Sequence, residues 1–269
     1  MKTVVITGSA RGLGLEMAKV FRENECNVVL SDLNEDNLKK AKSILMNIDS
    51  KSNVGYHVCD VTKTKDIESL IEYSKKEFGV IDIWINNAGV NQPEKAIWEL
   101  TESEIDIVLE VDLKGTIKAS KLVMEYMINN KIKGAIYNVE GYGSNDAKTL
   151  GLSIYGTSKR AITYFTEALA KESDVKNTGI IIGKLSPGIM ITDFITNALG
   201  NKEKINLSEK TKKVYNILGD YPDVVAEYLV TEILDNTQND AKIEWLTNRK
   251  AAWRFVTSAF NKRDFFKER

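Results

Sequence analysis

Tyr155 and Lys159 carry the chemistry most directly legible in this chain, in the run Ser153-Ile-Tyr-Gly-Thr-Ser-Lys159. In water a tyrosine gives up its proton only near pH ~10. On a helix, a lysine at i+4 lies on the same face, where its ammonium favours the phenolate. Such a pair can give a proton to a carbonyl oxygen or take one from an alcohol. A surface aromatic beside a solvated lysine shows the same spacing, so the pair gains meaning from what the rest of the chain supplies.

The elements that must position it alternate regularly. Short β-branched runs at 3–7, 27–32, 54–59, 81–86, 134–139, 179–185 and 242–246 read as strands, and amphipathic stretches at 12–24, 34–48, 63–78, 101–129, 153–173 and 222–236 as helices. Strands separated by helices imply right-handed crossovers, hence an α/β fold: a doubly wound, Rossmann-type parallel sheet with helices on both faces. No linker or repeat divides residues 1–269, which read as a single domain. Residues 190–220 break the rhythm. They follow Pro187-Gly188, where the chain leaves the sixth strand, and read as a lid over a ligand.

Composition excludes several classes. A net charge of −1 gives no argument for nucleic acid. Cys26 and Cys59 lie in apolar runs and read as free core thiols. The single histidine, His57, sits in a strand without metal-ligand spacing around it, so no metal site is expected. Met1-Lys2 leads straight into a strand with no secretory signal, and a cytoplasmic location is the expectation.

The first strand supplies a cofactor candidate. It runs into Thr7-Gly8-Ser9-Ala-Arg11-Gly12-Leu13-Gly14 and then a helix. Glycines permit the turn and the approach of a pyrophosphate, and the helix N-terminus offers N–H donors to it. Asp32-Leu33 closes the second strand. A carboxylate there accepts from both ribose hydroxyls and repels a 2′-phosphate, which favours NAD over NADP, although Arg11 argues the other way. Asp32 could instead cap the next helix, as Asn34 could. Asp60-Val61, after the third strand, could accept from the adenine amino group, and Asn86-Asn87-Ala88-Gly89, after the fourth, suits backbone packed close to a nucleotide. Either could be simple turn chemistry.

Together, T-G-x-x-x-G-x-G at 7–14, N-N-A-G at 86–89, Y-x-x-x-K at 155–159 and P-G-x-x-x-T at 187–192 resemble the short-chain dehydrogenase/reductase family. The resemblance implies hydride transfer at a nicotinamide, with Tyr155 as general acid/base. Lys159 would lower the tyrosine pKa and hold the nicotinamide ribose, Thr192 would hold the carboxamide, and Met190 would lie near it through its backbone. Gly134-Ala-Ile-Tyr-Asn-Val-Glu-Gly-Tyr-Gly-Ser144 and Asp223-Val-Val-Ala-Glu-Tyr-Leu229 are similar to the chlorophyll b reductase branch, which reduces a formyl group on a tetrapyrrole. Two departures matter. Relatives carry a serine about thirteen residues before the tyrosine, where this chain has Gly141-Tyr142, leaving Ser144 as the substitute and Tyr142 as its competitor. Asp112 occupies the place of an asparagine that steadies a proton-relay water, and is assigned the same role.

The expected function is an NAD-dependent carbonyl reductase or alcohol dehydrogenase acting on a bulky hydrophobic ketone, aldehyde or secondary alcohol, such as a steroid or bile acid. The alternatives are a tetrapyrrole formyl reductase and an NAD-binding regulatory or scaffold protein. Helices 101–129 and 153–173 resemble the pair through which relatives form homodimers and homotetramers. The basic, aromatic tail 242–269 suits packing between subunits, contact with an anionic membrane or closure of a hydrophobic site, and packing is preferred because no clean apolar stripe is visible.

Overall fold

A computed structural model describes residues 1–145, 147–148, 150–191, 209–258, 260 and 263–266. β1 (Thr3–Thr7), β2 (Asn27–Asp32), β3 (Val54–Val58), β4 (Ile83–Asn86), β5 (Ala135–Val139), β6 (Ile181–Ser186) and β7 (Lys242–Glu244) form one sheet in the order β3-β2-β1-β4-β5-β6-β7. All neighbours are parallel, with register pairs such as Val5↔Val29 and Val5↔Trp84. Val4, Val5 and Ile6 are fully buried, as a strand covered on both faces requires. Strand order reverses between β1 and β4, so a crevice for a ligand opens above their carboxyl ends.

Helices α1 (Gly12–Glu23), α2 (Glu35–Met46) and α8 (Pro222–Asp235) cover one face, packing Met17, Phe21, Leu38, Leu45 and Leu229 on the sheet. Helices α3 (Thr64–Phe78), α5 (Thr116–Asn129) and α6 (Ser153–Val175) cover the other with Ile67, Leu70, Val123, Met127 and Ala170. Cys26 and Cys59 are free and buried, and burial pushes the Cys59 thiol up to about 12.

A buried polar chain ties α6 to this frame. Trp84 Nε1 donates to Asn86 Oδ1 at 2.7 Å, Asn86 Nδ2 to Asn138 Oδ1 at 2.8 Å, and Asn138 Nδ2 to Thr166 Oγ1 at 2.9 Å. Each donor would cost free energy if buried unmade, so the chain fixes the helix that carries Tyr155 against β4 and β5.

The expected helix over 101–129 is interrupted. α4 (Glu102–Val108) passes into a π-helical turn at Leu109–Gly115 before α5 begins. A π turn holds one extra residue and so rotates the side chains that follow. In the stretch 190–220, expected to act as a lid, Glu209–Leu218 forms a helix, α7, and 192–208 lies outside the described residues. The tail holds a short seventh strand and then α9 (Asn248–Thr257), capped by Thr247 Oγ1 accepting from the Lys250 N–H at 3.2 Å. Its mixture of aromatics and cations hid that helix from periodicity alone.

Candidate active site

The glycine turn is locked from two sides. Gly8 and Gly12 adopt φ of +62° and +59°, the left-handed region. A β-carbon on Gly8 would lie 2.7 Å from the Ala88 Cα, and one on Gly14 would lie 2.6 Å from Asn87 Nδ2. The Asn87 amide donates to the carbonyls of Thr7 and Gly8 at 2.9 Å, while Thr7 Oγ1 accepts the N–H groups of Asn87 and Ala88 at 3.0 Å. The N-N-A-G run therefore clasps the first turn. Ser9 turns inward, donating to the Ile6 carbonyl at 2.8 Å and accepting the Ser31 N–H at 2.9 Å. α1 starts without a side-chain cap, and a β-carbon on Gly12 would meet nothing within 4 Å. N–H donors and open space at a helix N-terminus fit a dinucleotide pyrophosphate.

Asp32 lines the same cavity as Arg11, Gly12 and Leu13. Asn34 Oδ1 caps α2 by accepting the Asn37 N–H at 2.9 Å, so the cap falls to Asn34. Asp32 accepts the Asn34 N–H at 3.3 Å. Leu33, beside it, is exposed. Asp60 is a different case. Its carboxylate accepts the Thr62 N–H at 3.0 Å and hydroxyl at 2.7 Å and pairs with Lys63 at 3.2 Å, closing the turn into α3 away from the cavity lining. These contacts are the turn chemistry that the sequence also allowed at Asp60, and Val61 packs under Gly115. His57 is likewise structural, stacked on Tyr73 and hydrogen-bonded to Ser69 at 2.9 Å.

Tyr155 occupies the first turn of α6 and is 8% exposed. Lys159 follows one turn later, its ammonium 5.3 Å from the Tyr155 ring centroid. The π turn brings Asp112 inward, where Oδ2 pairs with Lys159 Nζ at 3.0 Å and Oδ1 accepts the Val90 N–H at 2.8 Å. Both partners are buried. Burial lifts the Asp112 carboxyl above its ordinary value, with Lys159 and Val90 pulling it back. Burial acts to lower Lys159, but Asp112, Tyr155 and Glu140 more than offset it and hold the ammonium above its usual pKa. Both directions keep the pair loaded with a proton. Tyr155 contradicts the expectation of a lowered pKa: burial raises it, outweighing the pull of Lys159, and Asp112 and Tyr215 add to the rise.

Ser144 lies off the cavity lining, its carbonyl accepting from Arg160 Nη1 at 2.9 Å. Gly143, at φ +96°, packs so tightly on α6 that a β-carbon would lie 2.5 Å from the Gly156 Cα, which pins the loop across the helix. Gly141 is the position that faces the dyad: a β-carbon there would collide with the Tyr155 hydroxyl. Tyr142 lines the cavity.

The cavity, about 990 Å³, is also lined by Leu150, Leu152, Met190, Val214 and Tyr215. Thr192 lies outside the described residues. Val214 and Tyr215 come from α7, which sequence reading left as polar lid. The described tail folds back on this wall. Asp220, bridged through its backbone to Met190, accepts from Trp245 Nε1 at 2.7 Å, Arg254 at 2.6 Å and Arg263 at 3.0 Å, and Arg254 also donates to the Leu218 carbonyl at 2.9 Å. These contacts link positions 25 to 43 residues apart, for which sequence spacing gives no signal.

Comparison with known proteins gives this geometry a family. The short chain dehydrogenase model matches residues 2–203. The chloroplastic chlorophyll(ide) b reductase NOL of Arabidopsis thaliana is 32% identical, the match covering 92% of this chain and 71% of that protein. The probable chloroplastic chlorophyll(ide) b reductase NYC1 of the same plant is 30% identical over 96% of this chain, which spans about half of that protein, 53%. A short chain dehydrogenase structure from Bacillus anthracis superposes with a TM-score of 0.76 at 25% identity, covering 90% of this chain and 94% of that one. The cytoplasmic expectation does not survive, because the chlorophyll(ide) b reductases matched along this chain are chloroplastic proteins. With its doubly wound sheet and its cavity shared by a glycine turn and a Tyr-Lys pair, this chain belongs to the short-chain dehydrogenase/reductase family of NAD(P)-dependent oxidoreductases.

Proposed function

We propose that this oxidoreductase reduces an aldehyde or ketone on a bulky hydrophobic molecule, with a formyl-bearing tetrapyrrole as the substrate and NADH as the preferred donor. The observation that carries the proposal is one cavity lined by Asp32 and the glycine turn, by Tyr155 and Lys159, and by the apolar side chains of Leu150, Leu152, Met190 and Val214. The names of the matched relatives put the tetrapyrrole ahead of the steroid or bile acid.

The nicotinamide cofactor, when bound, supplies the hydride for the carbonyl carbon. Tyr155 gives its proton to the carbonyl oxygen, so the carbon gains hydride, the oxygen gains the proton, and the product is an alcohol. Lys159, kept charged by Asp112, stabilises the phenolate left behind and returns a proton to it. Gly8, Gly12 and the first turn of α1 would hold the pyrophosphate, and Asp32 the ribose hydroxyls. Because Gly141 offers no hydroxyl to the reacting oxygen, Tyr142 is the proposed second contact to it.

The test is turnover of chlorophyllide b by the purified protein with NADH and, separately, NADPH, following loss of the formyl group. Conversion to the hydroxymethyl product, faster with NADH, supports the proposal. Turnover of a steroid ketone with none of chlorophyllide b refutes the substrate. NADH binding with no turnover of any carbonyl tried would point instead to a nucleotide-binding regulator.

A further inference from the structure

We infer that Gln92 is a positioning residue for the proton donor, capping the helix of Tyr155 from across the site. Helix α6 begins after Leu152, which has no side chain able to accept a hydrogen bond, and no side-chain cap is made there. A helix start leaves its first N–H groups without partners, and a polar side chain at the cap normally takes those of the second and third residues. Those residues are Ile154 and Tyr155. Gln92 Oε1 accepts both N–H groups at 2.8 Å, from 62 and 63 positions away. Its Nε2 donates to the Gly151 carbonyl at 2.6 Å, and the residue is fully buried.

What gives the cap a functional meaning is the strand end from which Gln92 comes. Within six residues, Asn87 holds the Gly8 carbonyl at 2.9 Å, the Val90 N–H holds Asp112 at 2.8 Å, and Gln92 holds the N–H of Tyr155. One short run therefore registers the cofactor turn, the ion pair behind the lysine and the first turn carrying the proton donor. Without Gln92 the first turn of α6 has no described acceptor for these N–H groups, and frays. Tyr155 then drifts from the carbonyl oxygen while Lys159, a turn deeper, stays in place.

The inference rests on Tyr155 being the proton donor, and two variants separate it from that role. Gln92→Leu removes every hydrogen bond at similar bulk. Gln92→Glu keeps an acceptor for both N–H groups, favoured by the helix dipole, and loses the Gly151 contact. With chlorophyllide b and NADH, or diacetyl if the tetrapyrrole is not turned over, Gln92→Leu should lower kcat at least about tenfold and change KM and the NADH dissociation constant by less than about twofold. Gln92→Glu should recover most of the loss. Amide exchange at Ile154 and Tyr155 should quicken at least about tenfold in Gln92→Leu, with the rest of α6 unchanged. The alkaline limb of reduction should move to lower pH as water reaches the hydroxyl. If Gln92→Leu does not fold, Gln92→Asn, whose amide is one methylene too short, takes its place. Wild-type kcat in Gln92→Leu, equal losses in the Leu and Glu variants, or unchanged exchange at 154–155 would overturn the inference. Should Tyr155→Phe keep full turnover, the proton-donor role falls instead; a dead Tyr155→Phe beside an unimpaired Gln92→Leu sinks the inference alone.

Discussion

The two flanks of Tyr155 are built in opposite ways. Behind it lie the buried pair of Lys159 and Asp112, charged and 3.0 Å apart, and the Val90 N–H that donates to the fully buried carboxylate. In front lies Gly141, with no side chain, and a loop whose Ser144 lies outside the cavity lining, its carbonyl held by Arg160. On the proposed reading, proton supply is thus part of the core, whereas contact with the reacting oxygen falls to Tyr142 on the cavity wall. The same core that holds the Asn86–Asn138–Thr166 chain holds the rear flank, so it tolerates little change. The front flank borders open cavity and can be altered without unfolding the protein.

That contrast predicts its own largest effects. Tyr155→Phe should lower kcat by about 10²–10⁴-fold, the usual worth of a positioned acid, with NADH titration unchanged. Lys159→Met acts on the rear flank and should do more than slow the reaction. It strands the buried Asp112 charge, which costs about 3–5 kcal/mol where a buried pair loses one partner. A urea midpoint no lower for Lys159→Met than for Tyr155→Phe would break the comparison.

Asp112→Asn sharpens it through pH. Burial raises the Tyr155 pKa, so the phenol stays protonated through neutrality and reduction declines only on the alkaline side of about pH 10. Alcohol oxidation needs the phenolate and rises over that same range. Asp112 adds to the rise of Tyr155 and holds the lysine up, so its neutralisation lowers both groups. Both limbs should move to lower pH, visible in kcat profiles for each direction. A limb that stays put would show that Asp112 only packs.

On the front flank, Gly141→Ser should damage the enzyme although it restores a hydroxyl common in relatives. The new β-carbon occupies the space of the Tyr155 hydroxyl, and a misplacement of about 1 Å can cost up to ~10²-fold in rate. Higher kcat in this variant would mean that the tyrosine yields without loss.

How much of this was legible in sequence follows from how local each part is. The glycine turn, Asp32 and the Tyr-Lys pair are set by a strand end or one helical turn, so spacing alone placed them. Asp112 was found by position, but the π turn that aims it inward leaves no periodic mark. Gln92, Tyr215 and the Asp220 clasp depend on contacts between distant segments. Ser144 was less legible for a related reason: three residues from Gly141 suggested proximity, but Gly143 between them has left-handed backbone, and Ser144 lies outside the cavity lining.

The smallest effect tests the role of Ser144 directly. A serine that bonds a developing oxyanion is worth about 10²–10³-fold in kcat in other enzymes, so its loss could not be overlooked. Here the Ser144 carbonyl is engaged by Arg160, outside the cavity lining, and that contact belongs to the backbone, which Ser144→Ala leaves intact. The variant should therefore retain kcat within about twofold, as surface substitutions away from such features do. Tyr142→Phe, on the cavity wall, should lose several times more while binding NADH unchanged. The reverse order, with Ser144→Ala nearly dead and Tyr142→Phe unaffected, would mean that the loop swings Ser144 inward once substrate binds, and that the open front flank closes during turnover.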